Sequence, residues 1–271
     1  MQNIILITGV TGAIGGAAAL EIAKTGATVV LLARNKNKLE QVKKEIVAKS
    51  GNNDIDIIVA DLSEIASVKN AVTIFKQKYN RLDALVNVAA VYNGKRETTK
   101  DNLEAMFAIN HLAPFILTNG LLDLLKESKG RITTVSAPST TKLNFDDLQG
   151  VKKFGALSAF GASKTMNLMF TYAMARRLEG TGVTATVLHP GVVKSDLTTE
   201  MPAILKFIFG LFAGKPDKAA AMLTALATDK KYETVNGKFF KYDGKELKSS
   251  SYSYDQVLQE KLWRLSEHLA N

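Results

Sequence analysis

The sequence contains no cysteine among its 271 residues, which excludes a disulfide framework, a cysteine-ligated metal and thiol catalysis. Imidazole is nearly as scarce. His111, His189 and His268 are the three histidines, so most transition-metal chemistry goes as well, and no metal site is expected. No run approaches the roughly 18 uninterrupted apolar residues of a membrane-spanning helix. A strand-like stretch begins at Ile4 with no basic segment or cleavage site before it, so the expected location is cytoplasmic. Acidic residues are outnumbered, 26 against 35 Lys and Arg, giving a formal charge of +9. That excess favours anionic ligands. The lysines, however, are dispersed through amphipathic segments without an aromatic-interleaved stripe, and no nucleic-acid partner is expected. There is no internal repeat and no Pro/Gly/Ser-rich linker, so residues 1–271 read as a single domain.

With 46% hydrophobic and 23% charged residues, the chain can build a sizeable core. Short apolar or β-branched runs, at Ile4 to Thr8, Thr28 to Ala33, Ile55 to Ala60, Ala84 to Ala89, Arg131 to Ser136 and Thr184 to Leu188, read as strands. Between them, helical periodicity marks Ile14 to Lys24, Lys36 to Lys49, Ser63 to Lys78, Asn102 to Lys126 and Ser158 to Glu179, each with polar or glycine punctuation at its ends. Gly237 to Tyr242 reads as a last strand and Asp255 to Leu269 as a closing helix. Parallel neighbours need crossover connections, and right-handed crossovers put helices over both sides. The near-continuous apolar runs TVVLLA and IDIIVA suit strands buried on both faces. The expected fold is α/β: a doubly wound sheet of about seven mainly parallel strands with helices on both faces.

The first strand runs into Thr8-Gly9-Val10-Thr11-Gly12-Ala13-Ile14-Gly15-Gly16 and then into a helix. Glycines suit this turn because the chain reverses sharply, its backbone approaches a pyrophosphate, and the helix packs close to the strand. Free N–H groups at the helix start face the anion. The pattern is that of a Rossmann-type dinucleotide site, with Gly9, Thr11, Gly12, Ala13, Ile14 and Gly15 as the cradle. About 20 residues on, an acid at the end of the second strand would bind the ribose of NAD. None is there: Arg34 and Asn35 follow Ala33. Arg34 can pair with a 2′-phosphate or stack on adenine, so NADP(H) is preferred over NAD(H).

The turn is similar to the T-G-x-x-x-G-x-G signature of the short-chain dehydrogenases, with Ala13 where Gly is commoner. Asp61-Leu62 resembles that family's adenine-contacting pair after the third strand, and Asn87-Val88-Ala89-Ala90 resembles its N-N-A-G. Three further stretches resemble its retinol-dehydrogenase-like branch: Asn110-His111-Leu112-Ala113-Pro114-Phe115, Asn144-Phe145-Asp146-Asp147-Leu148, and Leu188-His189-Pro190-Gly191-Val192-Val193-Lys194-Ser195. The resemblance implies that Asp61, Leu62, Asn87 and Ala89 line the cofactor cleft. It also implies that Pro190, Gly191, Val193 and Ser195 hold the nicotinamide amide.

In this family the hydride belongs to the cofactor and the protein supplies a proton relay. The relay comprises a tyrosine and lysine in Y-x-x-x-K, a serine after the fifth strand and an asparagine in the preceding helix. Lys164 and Asn110 fall on the lysine and asparagine, and Lys164 would also hold the cofactor ribose. Phe160 falls on the tyrosine and Ala137 on the serine, so the two proton-handling groups are missing. Ser136, Ser139, Thr140, Ser158 and Ser163 are poor substitutes, since a serine hydroxyl is a weak acid without a tuned partner. Tyr92 reads as a loop aromatic covering the pocket, with a place facing the nicotinamide as the alternative. Two functions stay open: an NADP(H)-dependent oxidoreductase with an impaired or altered relay, or a pseudoenzyme that binds NADP(H) as a sensor or partner protein.

Residues 195–215 correspond to the family's substrate lid, and 201–212 are rich in large apolar residues and free of acids. A lipophilic carbonyl or alcohol would suit such a lid. A peripheral membrane contact is the rival reading, and a lid packed on its own domain the plain one. A homodimer through the two long helices is compatible with the pattern, as is a monomer.

Overall fold

The computed structural model describes residues 2–193 and 214–271. Eight strands form one sheet in the order β3-β2-β1-β4-β5-β6-β7-β8. These are β1 (Ile4–Thr8), β2 (Thr28–Ala33), β3 (Ile55–Val59), β4 (Ala84–Asn87), β5 (Arg131–Val135), β6 (Thr184–His189), β7 (Lys238–Lys241) and β8 (Glu246–Leu247). The first seven are parallel. β8 is an antiparallel addition of two residues, with Phe240 opposite Glu246. It is the strand missing from the sequence reading, and two residues carry no alternation to detect.

Helices cover both faces. On one side α1 (Ala13–Lys24), α2 (Lys36–Ser50) and a helix at Asp217–Thr228 bury Ile22, Leu39, Ile46 and Leu223 against Ile5, Ile7, Val29 and Leu31. On the other, α3 (Ile65–Lys78), the segment 105–128 and the 22-residue helix Ala156–Arg177 bury Phe75, Phe107, Met166 and Phe170 against Leu6, Leu85 and Ile132. Successive residues of β1, β2 and β4 therefore feed two cores in turn, which is why these strands are continuously apolar.

The long helix expected over Asn102 to Lys126 is broken twice. It opens as a short turn, Ala105–Phe107, capped by the buried Glu104, whose carboxylate accepts from the N–H groups of Met106 (2.9 Å) and Phe107 (2.7 Å). It then widens into a π-helical turn, Ala108–Leu112, in which the Ala113 N–H reaches back to the Ala108 carbonyl. Pro114 follows at once. It has no N–H to give to the Asn110 carbonyl four residues back, so the regular ladder cannot run through this point. The second break is at Leu121, where Ala105–Gly120 and Leu122–Ser128 meet at 58°. No single helix among the described residues is long and apolar enough to cross a membrane.

The C-terminal helix Gln256–Ala270 lies across the outside of this second layer. Trp263 packs at 5.0 Å from Phe115 and 5.9 Å from Phe170, and the Arg177 guanidinium stacks 4.1 Å above it. His111 and Ser266 pin the same helix from inside, with Nε2 and Oγ 2.8 Å apart. Ser266 already donates to the Leu262 carbonyl, so His111 donates through Nε2. A homodimer through the two long helices would have to form around this covering helix. Most of the lid predicted at 195–215, including Ser195 and the apolar stretch 201–212, lies outside the described residues. Its base does not: Gly214 N donates to the Val192 carbonyl at 2.9 Å.

Candidate functional site

The crevice opens at the C-terminal ends of β1 and β4, where the strand order reverses and chain crossovers leave in opposite directions. Gly9 leaves β1 at φ 71°, and a Cβ there would stand 2.7 Å from the Ala89 N. A Cβ on Gly15 would stand 2.3 Å from the Gly9 carbonyl oxygen. Both contacts are with backbone, so no side-chain adjustment relieves them, and only glycine fits. Thr8 Oγ1 accepts from the N–H groups of Val88 and Ala89 at 3.0 and 3.1 Å, locking the turn to the end of β4. Gly12 caps α1 without a side chain. The first N–H groups of that helix are thereby left to an anion, with Thr11 exposed and Ala13 and Ile14 half-buried around them.

At the end of β2, Arg34 is exposed and makes no ion pair among the described residues. Asn35, expected at the cofactor, also caps α2: its Oδ1 accepts from Lys38 N at 3.0 Å. Beyond β3, one oxygen of Asp61 takes both the N–H (2.9 Å) and the hydroxyl (2.7 Å) of Ser63, and Leu62 is half-buried beside it. On β4, Asn87 is 2% exposed, yet neither its amide nitrogen nor its oxygen has a partner among the described residues. Unpaired buried amides cost free energy, so this side chain fits a ligand that completes it.

The expected relay residues come together. Asn110 sits in the π-helical turn, fully buried, and clasps the backbone of Val91: Oδ1 accepts from Val91 N at 2.8 Å and Nδ2 donates to its carbonyl at 3.0 Å. The second Nδ2 proton goes to Ser163 Oγ at 3.0 Å, and Ser163 donates to the Phe160 carbonyl at 2.7 Å. One amide thus ties the segment after β4 to the helix carrying Phe160 and Lys164. Lys164 is 5% exposed, and the contact described for its ammonium is the Phe160 ring, 5.1 Å from Nζ. Burial pushes its pKa down from 10.5 to about 8, because a low-dielectric surrounding penalises the charged form. A buried ammonium with no anionic partner among the described residues fits the hydroxyl groups of a ribose.

The hydroxyls near the crevice are spent on backbone. Ser136 donates to the Lys164 carbonyl and Ser139 to the Gly161 carbonyl, each at 2.8 Å. Ser136, just beyond β5, therefore points toward the helix carrying Lys164. Thr140 and Ser158 are exposed, and Ala137 is half-buried. Gly161 completes the contact, since a Cβ there would meet Thr141 Oγ1 at 2.3 Å.

At the end of β6, Gly191 turns at φ 77° after Pro190, and Val193 is buried. Tyr242 presses its ring on Gly191, where a Cβ would come within 2.7 Å. Sequence reasoning missed this contact, because a tyrosine just past β7 belongs to no motif. His189 is held below its ordinary pKa by burial and by the charge of Lys241.

Comparison with known proteins agrees with this geometry. The short chain dehydrogenase family matches residues 3–204. The chain is 35% identical to retinol dehydrogenase 12 of Mus musculus over 269 residues, spanning 97% of this chain and 85% of that protein. It is 34% identical to polyprenol dehydrogenase of Homo sapiens over 278 residues, spanning 98% and 84%. A short chain dehydrogenase from Burkholderia cenocepacia J2315, solved in complex with NADP, superimposes with a TM-score of 0.72 at 25% identity, covering 89% of this chain and 96% of that one. The protein belongs to the short-chain dehydrogenase family of oxidoreductases and has retinol-dehydrogenase-like homologues.

Proposed function

We propose that this chain binds NADP(H), in preference to NAD(H), and acts on a lipophilic carbonyl compound or alcohol through an altered proton relay. The observation that carries the reading is the buried Lys164 ammonium, on the helix that Asn110 holds through Ser163 at 3.0 Å. Gly9, Gly12 and Gly15 would take the pyrophosphate, and Arg34 the 2′-phosphate. Asp61 and Leu62 would take the adenine, and Asn87 and Ala89 the middle of the cofactor. Pro190 and Gly191, with Val193 and Ser195, would take the nicotinamide amide. When bound, the nicotinamide supplies or receives the hydride. The chain's own contribution is to hold the ribose through Lys164 and to fix Val91 and the Phe160 helix through Asn110. The NADP-bound Burkholderia relative supports the choice of cofactor. A lipophilic substrate is supported by relatives named for retinol and polyprenol. The apolar stretch 201–212 suits the same substrate or a peripheral membrane contact.

Phe160 and Ala137 favour a second reading, in which the protein binds NADP(H) without turnover. Phenylalanine has no proton to give, so a term typically worth about 10²–10⁴-fold has no donor at that position. Titration with NADPH and NADH beside a turnover assay on aldehydes and ketones, repeated with Phe160→Tyr plus Ala137→Ser, separates the two. Robust wild-type turnover eliminates the second reading, and absence of NADPH binding eliminates both.

A further inference from the structure

We infer that Tyr92 is the proton donor of this site, a phenol supplied from the segment after β4 in place of the one missing at position 160. The inference rests on the proposed oxidoreductase function. The Tyr92 ring is 5% exposed and packs edge-on against Phe160, centroids 5.6 Å apart at 73°. Val91, Met106 and Phe154 close around the two rings. Lys164 Nζ lies 5.1 Å from the centre of the same Phe160 ring, so Tyr92 and Lys164 border one aromatic side chain. The two hydrogen bonds from Asn110 to Val91 fix the backbone immediately before Tyr92.

Elimination points the same way. Ser136, Ser139 and Ser163 each commit their single proton to a backbone carbonyl, and a hydroxyl so committed has none to give to a substrate. The Tyr92 hydroxyl has no hydrogen-bond partner among the described residues. In the reductive direction the substrate C=O π bond breaks. Hydride adds to the carbonyl carbon, the Tyr92 O–H bond breaks, and its proton goes to the carbonyl oxygen. Solvent then reprotonates the phenolate; the hydride is the part that a bound nicotinamide cofactor would supply, becoming oxidised in turn.

The test uses the full chain with decanal and NADPH, in four versions: wild type, Tyr92→Phe, Phe160→Tyr and the double exchange Tyr92→Phe plus Phe160→Tyr. Tyr92→Phe should lower kcat by about 100-fold or more with NADPH affinity unchanged. Tyr92→Phe keeps the ring and its packing against Phe160, so a loss confined to kcat reports the hydroxyl, while the double exchange, which puts a phenol at the family's own position, serves as the control that the cradle still supports turnover. A second readout needs no turnover. Decanamide, an inert carbonyl analogue, should bind the cofactor-free Tyr92→Phe protein about threefold to tenfold more weakly than wild type, as the loss of one neutral hydrogen bond dictates. Tyr92→Phe turning over at the wild-type rate, or losing NADPH affinity in step with kcat, overturns the assignment alone. A wild type that binds NADPH and reduces nothing overturns the oxidoreductase reading and the assignment together.

Discussion

Replacing Lys164 by methionine should make the cofactor-free protein more stable while removing its hold on the nucleotide. The side chain is 5% exposed, and burial lowers its pKa from 10.5 to about 8. At about 1.4 kcal/mol per pH unit, keeping this charge inside the fold costs about 3 kcal/mol. Methionine keeps most of the volume and none of the charge. It forfeits the contact with the Phe160 ring, worth about 1 kcal/mol, which leaves a net gain of about 2 kcal/mol. For a domain of this size that is about 4 °C in Tm. The pH dependence gives the argument its sign. Below about pH 8 both the folded and the unfolded chain carry the proton, and the whole penalty applies. From about pH 8 to about 10.5 the folded protein has released it and the unfolded chain has not, so wild-type stability rises with pH relative to the variant. Above that window neither state is charged and the penalty is gone. Thermal unfolding of both proteins without ligand, from about pH 7 to about pH 10.5, should show the variant ahead at neutral pH and the gap closing in alkali. Added NADPH should raise the Tm of wild type far more than that of the variant. A wild type more stable than Lys164→Met at about pH 7, or a gap that does not change with pH, refutes the reasoning.

The turn offers a second perturbation: Gly15→Ala drives a Cβ to 2.3 Å from the Gly9 carbonyl oxygen, which should cost about 1–3 kcal/mol in urea unfolding and weaken NADPH binding at least tenfold in a fluorescence titration. His111, fully buried with its pKa pushed down to about 4 from 6.5, stays neutral in the folded protein while the unfolded chain takes up a proton. Stability should therefore fall by about 3 kcal/mol as pH drops through that window, and His111→Gln should flatten the profile in denaturant titrations. Trp263→Ala removes the ring that sits between Phe115, Phe170 and Arg177. A loss of about 3 kcal/mol is expected, read as a lowered circular-dichroism melting temperature.

The core of the architecture was legible because its signals are redundant. Buried parallel strands such as TVVLLA cannot be mistaken for amphipathic helix, and the turn at Gly9 to Gly15 announces its own geometry through residues that tolerate no Cβ. The breaks in the segment 105–128 were harder to read. The helical periodicity persists across the π-helical turn, and its cause, the missing N–H of Pro114, acts on the carbonyl of Asn110 four residues earlier. The short β8 has too few residues to show a period. At the site, the motif pointed to Lys164 and Asn110, but their joining through Ser163 depends on the π-helical turn and was not legible. Asn35 carries a second role that the motif did not announce: an asparagine one residue before a helix is also a cap, and here it serves as one. The edge-on packing of Tyr92 against Phe160 brings together residues 68 positions apart, which no local pattern encodes.

The covering helix Gln256–Ala270 also sets an order of events during synthesis. Phe115, Phe170 and the imidazole of His111 belong to segments that leave the ribosome long before Trp263 and Ser266. At roughly 5–20 residues per second, the nascent chain spends several seconds with this aromatic surface formed but uncovered. The strands and the nucleotide cradle lie upstream and can assemble in that interval, so the exposed patch would sit on an otherwise near-complete domain. Such an intermediate is a natural client for chaperones, and a stop codon placed just before residue 256 should yield a chain that retains its sheet but aggregates through this one face.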